Sequence, residues 1–154
     1  MIKTDHQLQR TRDSIARFQA QLEHAGTLED EVERELAIAS YEGMVSSLQL
    51  EIERYENAKR GIVQMPRAIQ NLTDLCPYIT DIRIALGWTQ EMLGDQLGIT
   101  RQMVNQMEEH EYRSITVERL QEILAVLGLV TTTEVRHNTV HLVERGNDPA
   151  LVAC

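Results

Sequence analysis

The chain has 154 residues, 42% hydrophobic and 25% charged, which is long enough to bury a core without disulfides or a structural metal as staples. Its 15 basic and 24 acidic side chains leave a formal net charge of -9, and the acids are spread along it, with 12 up to Pro66, nine from Arg67 to Val130 and three beyond. That balance excludes affinity for a polyanion by diffuse attraction and leaves a few well-placed cations to provide any such binding.

From Asp5 to His24, Leu8, Ile15, Phe18 and Leu22 recur at helical spacing on a polar background free of proline and glycine, which predicts one amphipathic helix. Ala25, Gly26 and Thr27 break it. Thr27, followed by Leu28, Glu29 and Asp30, has the pattern of an N-cap with acids in the first turn and is expected to open a second, longer helix. In that helix Ile38, Tyr41, Val45, Leu48, Ile52 and Tyr55 alternate at spacings of three and four, the seam of a heptad pattern that needs a partner helix. The first helix supplies that partner within one chain, and surplus length is available to a second subunit. Gly61 behind Lys59 and Arg60, with Pro66 following, closes the helix and marks a domain boundary. Residues 67–75 are expected to form a short lead-in helix, with a new helix beginning near Tyr78 after Pro77.

The stretch YITDIRIALGWTQEMLGDQLGITRQMVNQMEEHEYRSITVERLQEILAVLGL is punctuated into four helices. Ile79, Ile82, Leu86 and Ile84 line the first, which Gly87 ends. Thr89 caps a second over Gln90 to Leu97; Gly98 turns the chain at positive φ, and Thr100 caps a third that runs to Glu109. Leu93, Leu97, Ile99, Val104 and Met107 fall inside, while Gly94 lies where the second and third helices cross and a larger side chain would hold them apart. Thr116 caps a fourth helix that buries Leu120, Ile123, Leu124 and Leu127 before Gly128. Trp88, the sole tryptophan, is placed as cover over the end of the first of these four helices.

The segment TQEMLGDQLGITRQMVNQME resembles the helix-turn-helix of the phage-repressor, Cro and xenobiotic-response-element (XRE) family of regulators. The likeness covers the Thr-Gln-Glu opening, the small residue at the crossing, the Gly-Ile-Thr turn, the apolar residue inside the third helix and the glutamate after it. It implies a helix in the major groove of double-stranded DNA, where the N-terminal and outward-facing residues reach base edges. Those residues are Thr100, Arg101, Gln102, Asn105 and Gln106: Arg101 suits a guanine or a phosphate, and the three amides suit adenine. Gln90, first in the second helix, is similar to the family's phosphate-contacting glutamine.

After Gly128 the sequence LVTTTEVRHNTVHLVERG is rich in β-branched residues, and Thr139 to Glu144 alternates like a strand, with His137 and Asn138 as a turn. A lone hairpin leaves open edges, so pairing with another subunit or a partner protein is expected. His137 and His141 would not converge on a metal from a strand, and no cysteine pair completes a zinc pattern. Cys76 and Cys154 do not suggest a disulfide framework; no apolar run reaches membrane-spanning length, and the polar N-terminus is unlike a signal peptide. No cofactor is called for, and neither a phosphate-cradling glycine loop nor a nucleophile signature points to an enzyme. The expected architecture is mainly α: an antiparallel, coiled-coil-like hairpin over 1–63 for oligomerisation or partner binding, a Cro/repressor-type helix-turn-helix bundle over 64–130, and short β-strands with a tail over 131–154. The expected function is that of a cytoplasmic homodimeric repressor on an inverted-repeat operator. The alternative is an antitoxin that sequesters a protein such as a toxin and regulates its own operon, which the acidic balance and the large hairpin favour.

Overall fold

In the computed structural model, which describes residues 1–132, the chain runs through six α-helices and one 3-10 turn, and no strand occurs among the described residues. Helix α1 spans Asp5–Ala25, opened by Thr4, whose side chain accepts from the Gln7 N–H at 3.3 Å. Helix α2 spans Glu31–Lys59 and begins at Asp30, whose Oδ1 accepts from the Glu33 N–H at 2.8 Å. The expected cap, Thr27, does something else: its hydroxyl donates back to the His24 carbonyl at 2.7 Å and finishes α1. A carboxylate directly ahead of Glu31 and Glu33 serves the positive end of α2, so the start falls at Asp30.

The two helices are antiparallel, since Asp5 meets Lys59 at 2.7 Å, Arg12 meets Glu56 at 2.8 Å, and the Phe18 and Tyr41 rings lie 6.3 Å apart. Two helices enclose a seam from one side only. Ile38, Tyr41, Val45, Leu48 and Ile52 are accordingly half-buried, and Tyr55 is buried. Val32, Leu36 and Leu50 remain exposed on α2.

The expected helix over 67–75 is replaced by a 3-10 turn at Leu72–Tyr78, entered through Asn71, whose N–H donates to Asp74 Oδ2 at 2.9 Å. Pro77 lies inside it. Its missing N–H and its clash with the residue before it disfavour an α-helix approaching that point, and a tighter turn tolerates both.

Helix α3, Ile79–Ala85, is buried at every position from Ile79 to Ile84 because it is sandwiched. On one side Ile79 and Ile82 join Leu93, Val104, Leu120, Ile123 and Leu124 in the bundle core. On the other Ile84 packs with Ile2, Leu8, Tyr55 and Ala58 at the base of the hairpin. Leu86, expected inside, is 48% exposed, since α3 ends before it. Arg54 crosses from α2 to this helix, donating from Nε to Asp81 Oδ2 and from Nη2 to the Pro77 carbonyl, each at 2.7 Å. Burial pushes the Asp81 carboxyl up despite Arg54, and its Oδ1 has no partner among the described residues.

Helices α4 (Gln90–Leu97), α5 (Arg101–Glu109) and α6 (Val117–Val126) complete the bundle. Thr89, Thr100 and Thr116 cap them as the sequence predicts, accepting from the N–H groups of Met92, Met103 and Arg119 at 3.1, 3.3 and 3.2 Å. Gly98 takes φ 64 between α4 and α5. The expected strand over Thr139–Glu144, the turn at His137 and Asn138, His141 and Cys154 all lie outside the described residues.

Two outcomes follow from this packing. A Cβ added at Gly94 would meet the Ile99 carbonyl oxygen at 2.7 Å, and that atom is backbone that cannot swing away. Gly94→Ala therefore destabilises the chain by about 1–3 kcal/mol, the cost of overpacking, measured as a lower urea midpoint; an unchanged midpoint would show that the crossing has slack. For Asp81 the folded-state carboxyl binds its proton more tightly than the unfolded one, so stability declines as pH rises through the window from the ordinary carboxylate value to the raised one. Asp81→Asn should flatten that decline in urea midpoints taken from acid to neutral pH, and profiles that stay parallel would contradict it.

Candidate nucleic-acid interface

Helix α5 has an inward edge formed by Val104 and Glu108, both buried, with Met107 half-buried beside them. Its other side is open: Arg101, Gln102, Met103 and Gln106 are exposed, as is the capping Thr100. Arg101 makes no hydrogen bond or ion pair among the described residues, so its guanidinium is available to a ligand, while the Thr100 hydroxyl oxygen is engaged by the Met103 N–H. Met103 is 47% exposed on this open side, a position for which the sequence pattern gives no core partner.

What fixes α5 is a charge pair in the interior. Arg83, on α3, is 2% exposed at its side chain, and Glu108, on α5, is 0% exposed. Arg83 donates from Nε to Glu108 Oε1 at 2.6 Å and from Nη2 to Oε2 at 3.3 Å, a two-pronged contact that sets orientation as well as distance. Two further donors are used: Nη1 reaches the Trp88 carbonyl, and Nη2 also reaches the Lys3 carbonyl at 3.2 Å. In the sequence Glu108 stands out only through the family likeness, and Arg83 does not stand out. An arginine between Ile82 and Ile84, in a helix with no polar face to spare, was the available sign.

Gln90 belongs to this cluster. Expected to touch phosphate, its side chain is instead turned in: the residue is 4% exposed, and Nε2 donates to Glu108 Oε2 at 2.6 Å and to Asn105 Oδ1 at 3.1 Å. The second oxygen of a buried carboxylate must find a donor, and the amide at the start of α4 is within reach. Asn105 is half-buried and occupied at both ends, since its Nδ2 donates to Glu109 Oε1 at 2.7 Å. The structure thus brings Thr100, Arg101, Gln102 and Gln106 to one open surface, keeps Asn105 at its edge, and places the Gln90 side chain behind it.

Trp88 is half-buried against the bundle core, and its N–H donates to the Arg83 carbonyl at 3.0 Å, which places it as cover for the end of α3. At the far end of α5, Glu111 and Tyr112 take φ 49 and 56, held there by the Tyr112 ring, which is 1% exposed. Burial, and then the nearby Glu108 carboxylate, push the Tyr112 phenol up, and its hydroxyl has no partner among the described residues.

This geometry, two capped helices crossing at a small residue with an open helix face held by an interior pair, defines a helix-turn-helix. Residues 79–135 match the family model described as helix-turn-helix, just over a third of the chain. The segment is a helix-turn-helix of the XRE type, a DNA-binding module of transcription regulators. No curated protein and no solved structure matches the chain. No helix among the described residues is long and apolar enough to cross a membrane.

The buried pair makes a quantitative test. Glu108→Ala strands the Arg83 guanidinium in the interior and removes an acceptor from Gln90, so it costs about 3–5 kcal/mol in urea unfolding. Glu91→Ala, at an exposed position in the first turn of α4, serves as the control and shifts the midpoint little. Equal shifts for the two variants would mean that the pair does not hold the bundle.

Proposed function

We propose that the chain is a sequence-specific transcriptional regulator that binds an inverted-repeat operator as a homodimer, each subunit laying α5 in the major groove. The observation that carries this reading is the open side of α5, where an unpaired Arg101 stands beside Gln102 and Gln106 on a helix locked from behind by Arg83 and Glu108. Arg101 reads guanine, Gln102 and Gln106 read adenine, and Met103 offers apolar contact to a thymine methyl. Asn105 joins them by exchanging its bond to exposed Glu109 for one to a base. Gln90 acts by holding Asn105 and Glu108 in place rather than by touching phosphate with its side chain. In a chain of net charge -9 such contacts have to be few and doubled, which is what dimerisation supplies. Exposed Val32, Leu36 and Leu50 on α2 give a second copy apolar surface to cover.

The same surface supports a second reading, an antitoxin-like chain whose hairpin holds a protein partner and whose α5 serves autoregulation in the cytoplasm. The two readings separate on light scattering and co-purification: a dimer of the chain alone supports the first, and a monomer that recovers a defined partner encoded beside its own gene supports the second.

DNA selected from a random pool tests the reading itself. Arg101→Ala should lose about 1–3 kcal/mol on the selected site and relax the preference at one base pair, with a smaller loss on unrelated DNA. Equal losses on both would make Arg101 a phosphate contact, and a wild-type chain that selects no sequence at low salt would overturn the proposal.

A further inference from the structure

Helix α2 is apolar on two sides. One side carries the half-buried seam against α1, and the other carries Leu36, Ala39, Gly43, Ser47 and Leu50, all exposed, with Leu36 at 72% and Leu50 at 63%. Leu36, Ala39, Gly43 and Leu50 precede the seam residues Ile38, Tyr41, Val45 and Ile52 by two positions each, which turns a helix by about 200° and sets the two stripes back to back.

Gly43 has no use within its own chain. A Cβ added there would meet nothing within 4 Å, and its φ is not positive. A glycine inside this 29-residue helix is nonetheless unfavourable against alanine. What it permits is the close approach of another backbone. The stripe also reads alike in both directions from Gly43: Ala39 and Ser47, both small, stand four residues away, and Leu36 and Leu50 stand seven away. Such a surface matches a second copy of itself across a two-fold axis, with the helices antiparallel. Charge selects the same orientation, because residues 29–35 hold five acids and one base whereas residues 51–60 hold three of each. Antiparallel pairing sets the acidic run beside the balanced one. Parallel pairing would set it beside itself, where like charges repel.

We propose that α2 is the dimer interface, with α2 of a second copy lying antiparallel on this stripe and the two-fold axis passing by Gly43. The inference rests on the homodimer of the proposed function and gives it a contact and a geometry. Leu36 of each copy packs on Leu50 of the other, and the two glycines let the backbones meet between them. Val32, eleven residues from Gly43, arrives over Arg54, which is also eleven away, where Leu50, Ile62 and Tyr78 line a cavity of about 270 Å³. Tyr55, through which α2 packs with Ile84 of α3, lies twelve residues from the axis. At 1.5 Å per residue the two copies of that contact are about 36 Å apart along the paired helices. Half-sites one helical turn apart on DNA are separated by about 34–36 Å. The register that joins the chains thus also spaces their two bundles for successive major grooves.

The test uses the full chain. Light scattering should give a dimer, and Leu36→Glu and Leu50→Glu, at exposed positions that leave the circular dichroism unchanged, should each raise its dissociation constant about tenfold or more. Register is read by oxidising single cysteines in a Cys154→Ser background, Cys76 being buried. Gly43→Cys should link to itself across the axis, and Leu36→Cys should link only to a chain carrying Leu50→Cys. A Leu36→Cys chain that links to itself means parallel helices and overturns the proposal, as does a dimer that survives both glutamates. If the glutamates spare the dimer and instead release a co-purifying protein, the stripe belongs to that partner and the proposal falls equally. Sites selected from random DNA should carry half-sites one turn apart, and a two-turn spacing overturns the register. The crosslinks need no DNA, so a chain that selects no sequence overturns the proposed function while they still decide the interface. A wild-type chain that stays monomeric at every concentration overturns both.

Discussion

The contact between Arg83 and Glu108 is the constraint on which the rest of the molecule depends. Taking two charges out of water costs several kcal/mol apiece, and the cost is offset only where nearly every donor and acceptor is satisfied. Here Arg83 reaches the carboxylate twice and two backbone carbonyls besides, while Glu108 also receives the Gln90 amide. Each of those partners lies on a different part of the chain: the N-terminal arm, the loop after α3, the start of α4 and the end of α5. An apolar contact of equal area would tolerate sliding by an ångström. A cluster of directional bonds in a low dielectric does not, so the open face of α5 is held in one orientation from within.

The bundle was legible in the sequence because its punctuation is local. Thr89, Gly98, Thr100 and Thr116 act on residues within four positions of themselves, so their types and spacing suffice to place α4, α5 and α6. Structure departs from pattern where two local signals compete. Thr27 and Asp30 both satisfy an N-cap pattern, and only the path of the chain decides that the threonine closes α1 while the aspartate opens α2. The approach to Pro77 has helical composition, but the proline's backbone effect outweighs it and yields a 3-10 turn.

Of the interface, the residue types on the open side of α5 could be read, but their availability could not. Gln90 and Gln102 are the same side chain at comparable places near a helix start. One is buried under Glu108 and the other is exposed, and the difference is set by Arg83, a residue on another helix. Arg83 itself escaped notice because an apolar periodicity presumes one buried face, whereas α3 is covered on two sides and hides Thr80, Asp81 and Arg83 along with its isoleucines. Long-range burial of polar groups leaves no periodic trace.

The same two-sidedness changes how the hairpin is to be understood. A flexibly tethered oligomerisation arm would leave α3 with a solvated outer face, yet Ile84 shares a core with Ile2, Leu8, Tyr55 and Ala58, and Arg54 ties α2 to Asp81 and Pro77. The hairpin base is therefore packed against the helix-turn-helix bundle through α3. Lys3 sits at the meeting point, its carbonyl in the Arg83 cluster. A displacement of the hairpin relative to α3 would shift the Lys3 carbonyl away from Arg83 and loosen the grip on Glu108. The geometry of α5 is thus coupled to the packing of the hairpin base, because both depend on the partners of one guanidinium.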